Sequence, residues 1–489
     1  MDLIKTDVLI VGGGLSGLMA CLSAAKEGVS TTIASKAKIG LGTSSSLSLG
    51  AFATSNYGMT VEEHIEKTLN TGRYKNDPVL VKILAEEAPK AIEELKAYGV
   101  NFEVGKYQVM AKGRFPTVGR SVIDKVLKAT LSWGAKKLEY AVSVKLLDHG
   151  DSICGAIFVL SSGKRVACFS KAVIMATGGA SALFKFHDNP SGNLGDGYAL
   201  AQRVGVKLKD MDLIQFYPAQ IREERLPRII CPPYILELSR VVNEKNEDIV
   251  EKYRLSSLRP LAIRARDKFS EAIFNEIRKG HKVYVDLRKI DESVLSETEK
   301  EALSFIRDRY GASSRLLRIT PCAHFTIGGI PINERCETEK PGLFAAGEVT
   351  CGLHGMNRLG GNALTEAIVF GKIAGISAAS YAKRREIPKP ELVDMELPRL
   401  NYGTSRRKEI LRAVREIMWE CLVLWQDLDS MVKGVGLIED LKRSGIGPKN
   451  PKDEALSFSL QNSLDTAITI LKSAIDRKTP TSSHGPNSF

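Results

Sequence analysis

Residues 6–18 read TDVLIVGGGLSGL. Residues 6–11 are apolar and partly β-branched without alternation, which predicts a short parallel strand buried on both faces. The run passes without a spacer into Gly12, Gly13, Gly14, Leu15, Ser16 and Gly17, whose glycines have GxGxxG spacing. Gly12 allows the tight turn, Gly14 lets a pyrophosphate approach the backbone, and Gly17 lets helix and strand pack closely. Leu18, Ala20, Cys21, Ala24 and Ala25 then mark the packing side of a helix. Its N-terminus offers unpaired N–H groups and partial positive charge to a phosphate. VSTTIAS (29–35) predicts the second strand of a βαβ unit. Strand before and helix after are the context that turns a glycine pattern into a dinucleotide site.

Farther along, KAVIMATGGA (171–180) and PGLFAAGE (341–348) also read as strands ending in glycines. Several strand C-termini therefore gather round one ligand in an α/β domain. Residues 219–234, rich in proline and charge, read as a crossing into an inserted domain. Helical RARDKFSEAIFNEIRKG (264–280) and strand-like KVYVDLRKI (282–290) lie within it. Residues 383–405 read as a linker. Beyond it Ile410, Leu411, Val414, Ile417, Met418, Cys421, Leu424, Trp425 and Leu428 recur at helical spacing, as the core side of one C-terminal helix. The tail 480–489 is polar and reads as mobile. The expected organisation is a doubly wound, Rossmann-like domain in two parts (1–218 and 322–385), an α+β capping domain (219–321) and a helical C-terminal domain (386–489).

The net charge of +12 is spread among acids, with no basic run. That reads as a solvated surface with a mild attraction for anionic substrates, and against nucleic-acid binding. None of the eight cysteines has CxxC spacing, so neither a metal site, a cluster nor a disulfide framework is expected, and the chain reads as reduced and intracellular. The N-terminal apolar stretch reads as a strand and not a signal segment, and no integral membrane segment is expected. The second strand ends in IASK, where an acid would usually hold ribose hydroxyls. Ser35 can still hydrogen-bond there. Lys36 is either a cation near the phosphates or an ordinary surface residue.

DVLIVGGGLSGL, VIMATGGA, NLGDGYALAQRVG, DMDLIQFYP, ARDKFSEAI, PCAHFTIGGI, PGLFAAGEV and HGMNRLGGNAL occur in that order. From end to end the chain thus resembles the flavoprotein subunits of succinate dehydrogenase and fumarate reductase, and the L-aspartate oxidases. The resemblance implies FAD as cofactor, a cap closing over its ring system, and hydride transfer between flavin N5 and a carbon beside a carboxylate. It assigns Asp196 and Glu348 to flavin hydroxyls, Thr177, Gly178, Ala363 and Leu364 to the cofactor cleft, and Ser44, Ser45, Gly50 and Ala51 to the loop round the flavin. Covalent members carry a histidine where this chain has Ser44, so non-covalent FAD is expected. Arg266 aligns with the proton-transferring arginine, although a forward alignment would choose Arg264. His324 and Arg358 correspond to a carboxylate-binding pair, and His354 is a neighbour of that site.

Three departures concern the second carboxylate. Tyr217 replaces a substrate-contacting histidine, Cys231 and Pro232 stand at threonine and glutamate positions, and Ile235 replaces an arginine. The expectation is an FAD-dependent oxidoreductase of a small carboxylic acid, by default succinate and fumarate. L-aspartate oxidase is the alternative, and a flavin-bearing electron-transfer subunit with another substrate a further one. Expected partners are the acid itself and an iron–sulfur or other electron-transfer subunit. The expected compartment is the cytoplasm, with any membrane association made through that subunit.

Overall fold

A computed structural model of the chain describes residues 1–105, 108–224, 226–400, 406–448 and 450–479. The polar tail, residues 401–405 of the linker and the Trp425 side chain lie outside what is described. The strands are β1 (Asp2–Val11), β2 (Thr31–Ser35), β3 (Ala51–Ala53), β4 (Phe102–Val104), β5 (Gln108–Ala111), β6 (Lys136–Glu139) and β7 (Ala141–His149). They continue as β8 (Ser152–Leu160), β9 (Arg165–Met175), β10 (Ile214–Ile221), β11 (Arg240–Asn243), β12 (Val283–Asp286), β13 (Leu317–Thr326) and β14 (Leu343–Ala345).

The central sheet runs β6-β2-β1-β9-β8-β7, with β14 also pairing β9. β6, β2, β1, β9 and β14 are parallel, whereas β8 and β7 extend the sheet antiparallel. Strand β1 shows why its sequence is apolar throughout. Val8 and Ile10 enter a core that includes helices Leu15–Lys26 and Asn362–Ala382, while Leu9 and Val11 enter the opposite core, shared with the C-terminal helices. Both faces of the sheet are covered, as a parallel sheet requires.

Helix Asn362–Ala382 is long and apolar enough to cross a membrane, but 72% of its most apolar window is buried in the protein. It lies against Leu15–Lys26 through small residues. A Cβ on Gly371 would meet the Ser16 carbonyl oxygen at 2.6 Å, and one on Gly375 the Ala20 oxygen at 2.3 Å. The core therefore accounts for its apolar composition.

The cap is an antiparallel sheet in the order β10-β13-β12-β11, flanked by helices Arg266–Arg278 and Glu297–Tyr310. Its first strand starts at Ile214, ahead of the expected boundary at 219, because β10 must pair with the returning strand β13. Residues 383–400 are not a free linker: Val393 and Leu400 are buried against β7 and β8. The single C-terminal helix expected from spacing is two. Helix Arg407–Trp419 passes into a π turn (Glu420–Trp425), Gln426 takes φ 55°, and Leu428–Arg443 starts afresh. Leu428, expected in the core, is 36% exposed as the first residue of that new helix.

Candidate active site

The glycine turn after β1 is built as its sequence implies. Gly12 has φ 129°, and a Cβ there would lie 2.0 Å from the Ala176 carbonyl oxygen. A Cβ on Gly17 would lie equally close to the Gly12 oxygen. At Gly14 the nearest atoms to such a Cβ are Ser45 Oγ at 3.6 Å and Thr43 Cβ at 3.9 Å, so the backbone there is open to a ligand. No side chain caps helix Leu15–Lys26 at Gly14; Ser45 Oγ accepts from Leu15 N at 3.3 Å. Among the described residues, the buried Ser16 Oγ and Thr177 Oγ1 have no hydrogen-bond partner. A cradle without a Cβ, an uncapped helix start and orphaned hydroxyls on its walls fit a dinucleotide pyrophosphate.

Beside this cradle, Ser35 ends β2 with its hydroxyl accepting from Ala37 N at 3.3 Å. The Lys36 ammonium pairs with Asp196 Oδ2 at 2.6 Å and donates to the Gly192 carbonyl. Lys36 is thus more than a plain surface residue. Asp196, at the start of helix Asp196–Arg203, accepts from Asn462 Nδ2 at 3.1 Å on its other oxygen. Ser44 donates to Asn189 Oδ1 at 2.5 Å and accepts from Asn193 Nδ2 at 3.3 Å. The loop carrying Ser44 and Ser45 leads through Gly50 (φ 75°) into Ala51 of β3.

Glu348 follows β14 and is half-buried, with Oε1 accepting from Thr326 N at 3.1 Å. Its carboxyl lies so close under Gly178-Gly179 that a Cβ on Gly179 would meet Oε1 at 2.2 Å. Burial pushes this carboxyl up to about 7. Helix Asn362–Ala382 starts beyond Gly361 (φ 90°) without a side-chain cap, placing Ala363 and Leu364 in its first turn. This is a second helix start without a side-chain cap after a glycine turn. His354 does not reach outward: its Nε2 lies 3.0 Å from buried Glu366 Oε2, and its ring packs edge-on against Phe325.

The cationic centre is formed by the cap and the main domain together. Arg266 opens helix Arg266–Arg278 and is buried, whereas Arg264 is exposed. Arg266 donates from Nε to the Ala262 carbonyl at 2.5 Å and from Nη1 to Gln215 Oε1 at 3.4 Å. Arg358 is also buried, with its guanidinium over the Phe325 ring at 4.5 Å and its Nε without a partner among the described residues. Among the described residues neither guanidinium makes a salt bridge. Burial lowers both; Arg358 is brought down to about 9, with Arg266 adding to the effect. His324, on β13, is the third member: both arginines act on its imidazole, and its Nδ1 lies 2.6 Å from Asp188 Oδ2. Burial lowers His324 below the ordinary imidazole range, against the opposing pull of Asp188.

Tyr217 lines this centre with its ring and not its hydroxyl. The ring lies 5.5 Å from that of His324 and 5.4 Å from the Arg266 guanidinium carbon. The hydroxyl donates to the Cys231 carbonyl at 2.5 Å. Cys231, Pro232 and Ile235 are buried, and Cys231 and Ile235 share the cap's apolar core with Tyr217. Sequence reading missed Asp188, Asn189 and Gln215. Asn189 holds Asp188 Oδ1 at 3.0 Å and the His324 carbonyl at 2.7 Å, and Gln215 donates to the Arg358 carbonyl at 2.9 Å. The polar run FHDNPSGN, just ahead of the Asp196 turn, was the available signal for the first two.

A phosphate cradle at the end of β1 in a doubly wound sheet, with two buried guanidiniums near His324, fits a dinucleotide-dependent enzyme. A model of the FAD binding domain matches residues 7–364, and the chain belongs to that family: it is an FAD-dependent oxidoreductase of the succinate dehydrogenase and fumarate reductase flavoprotein type. A fumarate reductase (CoM/CoB) subunit from Methanothermobacter marburgensis is 29% identical, over 100% of this chain and 95% of its own. An L-aspartate oxidase from Saccharolobus solfataricus is 32% identical, over 87% of this chain and 88% of its own. A variant of E. coli quinol fumarate reductase has the same fold, with a TM-score of 0.87 at 24% identity over 98% of this chain and 90% of that one.

Proposed function

We propose that the protein interconverts a small dicarboxylate and its α,β-unsaturated counterpart, with succinate and fumarate the default pair. One observation carries this reading: two buried guanidiniums, one on the cap and one on the main domain, both act on His324 and lack a salt-bridge partner among the described residues. Buried cations are normally paired, so an anionic ligand is the missing partner. Arg358, held through its carbonyl by Gln215 and over the Phe325 ring, anchors one carboxylate. Arg266, lowered by burial and fixed by Ala262 and Gln215, holds or delivers the proton at the carbon next to it. The cap excludes water. Bound FAD supplies the hydride acceptor or donor at N5.

Ser44, hydrogen-bonded to Asn189 and Asn193, stands in the loop expected round the flavin, which supports non-covalent attachment. Glu348, Asp196 and the Gly12–Gly17 turn are the expected cofactor contacts. The relative named as a subunit supports an electron-transfer partner, of iron–sulfur or other type, and a cytoplasmic or partner-associated location.

Oxidation of L-aspartate is the second reading, favoured by the 32% identical relative. Anaerobic photoreduction of the flavin separates the two. Reduced enzyme is mixed with fumarate, and oxidised enzyme with succinate or L-aspartate, while the flavin spectrum is followed. Reoxidation by fumarate is the expected result. A spectrum that none of the three acids changes would sink both readings.

A further inference from the structure

We propose that Arg222, Arg228 and Arg415 form a second anion site, where the cap meets the C-terminal helices. Its ligand is a tetrahedral dianion, phosphate or sulfate, free or as the end group of a small molecule. The inference goes beyond the dicarboxylate reading and does not rest on it.

Phe186 joins the two parts of this site. The Arg222 guanidinium carbon lies 4.2 Å from its ring centre, and Trp419 packs edge-on against the same ring at 4.7 Å. Arg415 precedes Trp419 by one turn, on the same face of helix Arg407–Trp419. Its Nε donates to the Ala182 carbonyl at 2.8 Å, and its Nη2 is buried without a hydrogen-bond partner among the described residues. Arg222 follows β10 directly, and Arg228 stands exposed farther along the same cap segment. Arg228 acts on Arg222 and on Arg415, and together with Arg415 on His187, the residue after Phe186.

Among the described residues none of the three arginines makes a salt bridge, and the acids around them are committed elsewhere. Glu223 pairs with Arg315 at 2.8 Å and accepts from Arg318 N. Glu416 pairs with Lys185 at 2.6 Å, and Asp188 is held by His324 and Asn189. Arg222 has only the Gln220 amide oxygen, at 3.5 Å. Guanidiniums gathered without counter-charge repel one another. Burial first, and then Arg228, lowers Arg415; burial, Arg228 and Arg318 bring Arg222 down to about 10. Cations held in this way call for an anion between them. A lone carboxylate matches only one of the charges, whereas a tetrahedral dianion offers more charge and more oxygens to forked donors. Bound there, it ties the cap to the C-terminal helix.

The test uses FAD-loaded protein at full flavin occupancy, so that the phosphate cradle is filled. Sodium phosphate and sodium sulfate are titrated calorimetrically against sodium chloride of equal ionic strength, and hydrogen exchange is followed with and without phosphate. Wild type should bind both dianions, and exchange should slow in residues 226–230 and in helix Arg407–Trp419. Arg228→Gln removes an exposed charge that makes no hydrogen bond among the described residues, so the fold stays intact. It should weaken phosphate binding about tenfold, the loss of one charge-assisted hydrogen bond. Arg264→Gln removes an equal charge outside the cluster and should bind phosphate as wild type does. Glycerol phosphate binding more tightly than phosphate would assign the site to an ester, and the reverse order to the free ion. Dianions that act no differently from chloride, or Arg228→Gln binding phosphate like wild type, would overturn the proposal.

Discussion

Asp196 carries the Lys36 ammonium on one carboxylate oxygen at 2.6 Å and the Asn462 amide on the other at 3.1 Å. One acid thereby ties the end of β2 to the helix Glu454–Lys478. Asp196→Asn should cost about 1–2 kcal/mol by weakening both contacts. Hydrogen exchange in Glu454–Lys478 should accelerate more than in helix Leu15–Lys26. Equal acceleration in both helices would contradict the tie.

Arg264 and Arg266 differ by two positions and lie in different environments, one exposed and one buried. Arg266→Lys should lower kcat at least about a hundredfold, the scale of losing one positioned proton carrier, while FAD stays bound. Arg264→Lys should leave kcat and KM within twofold, about the noise of a surface substitution. The reverse pattern would move the proton-transfer role to the exposed residue.

Glu348 makes a pH prediction for protein stripped of FAD. Its folded carboxyl keeps a proton up to about 7, whereas an ordinary one loses it near 4.5. Between those values the folded state binds more protons, so stability falls as pH rises through this window and levels off above it. The change is up to about 3 kcal/mol at 1.36 kcal/mol per unit. Urea midpoints of wild type should show this decline, and those of Glu348→Gln should be flatter.

Gly12 and Gly14 separate fold from function. Gly12→Ala forces a methyl against the Ala176 carbonyl and should yield little folded protein. Gly14→Ala meets nothing closer than 3.6 Å, so it should fold with near-normal secondary structure yet lose FAD affinity at least about tenfold. Flavin fluorescence on gel-filtered protein reads the difference.

Strand β1 and its glycine turn were legible because their signals are local: each residue's neighbours in sequence are also its reason for being there. The Asp188–His324 contact was not, since 136 positions separate the partners and only β13 beside the His187 bridge unites them. The different exposure of Arg264 and Arg266 turns on Ala265, whose φ of −129° breaks the helix between them. Spacing cannot see such a break. For the same reason Gln426 at positive φ escaped a reading that carried one helix from Ile410 to Leu428. Tyr217 was legible as a departure from the pattern, but where its hydroxyl goes depends on the Cys231 backbone.

The contact of Gly371 and Gly375 with the helix that begins at the phosphate turn bears on how variants would be sorted in a mutational scan. Both helices start after glycine turns without a side-chain cap, one at the phosphate cradle and one just ahead of Ala363 and Leu364, so their spacing sets the distance between those ends. A methyl at Gly375 would have to displace the Ala20 carbonyl. In a screen scored by flavin retention, alanine at these two positions would group with alanine at Gly14, although their contacts are with another helix. Their distance in sequence from the glycine turn would hide that they keep the spacing of the helix that starts there.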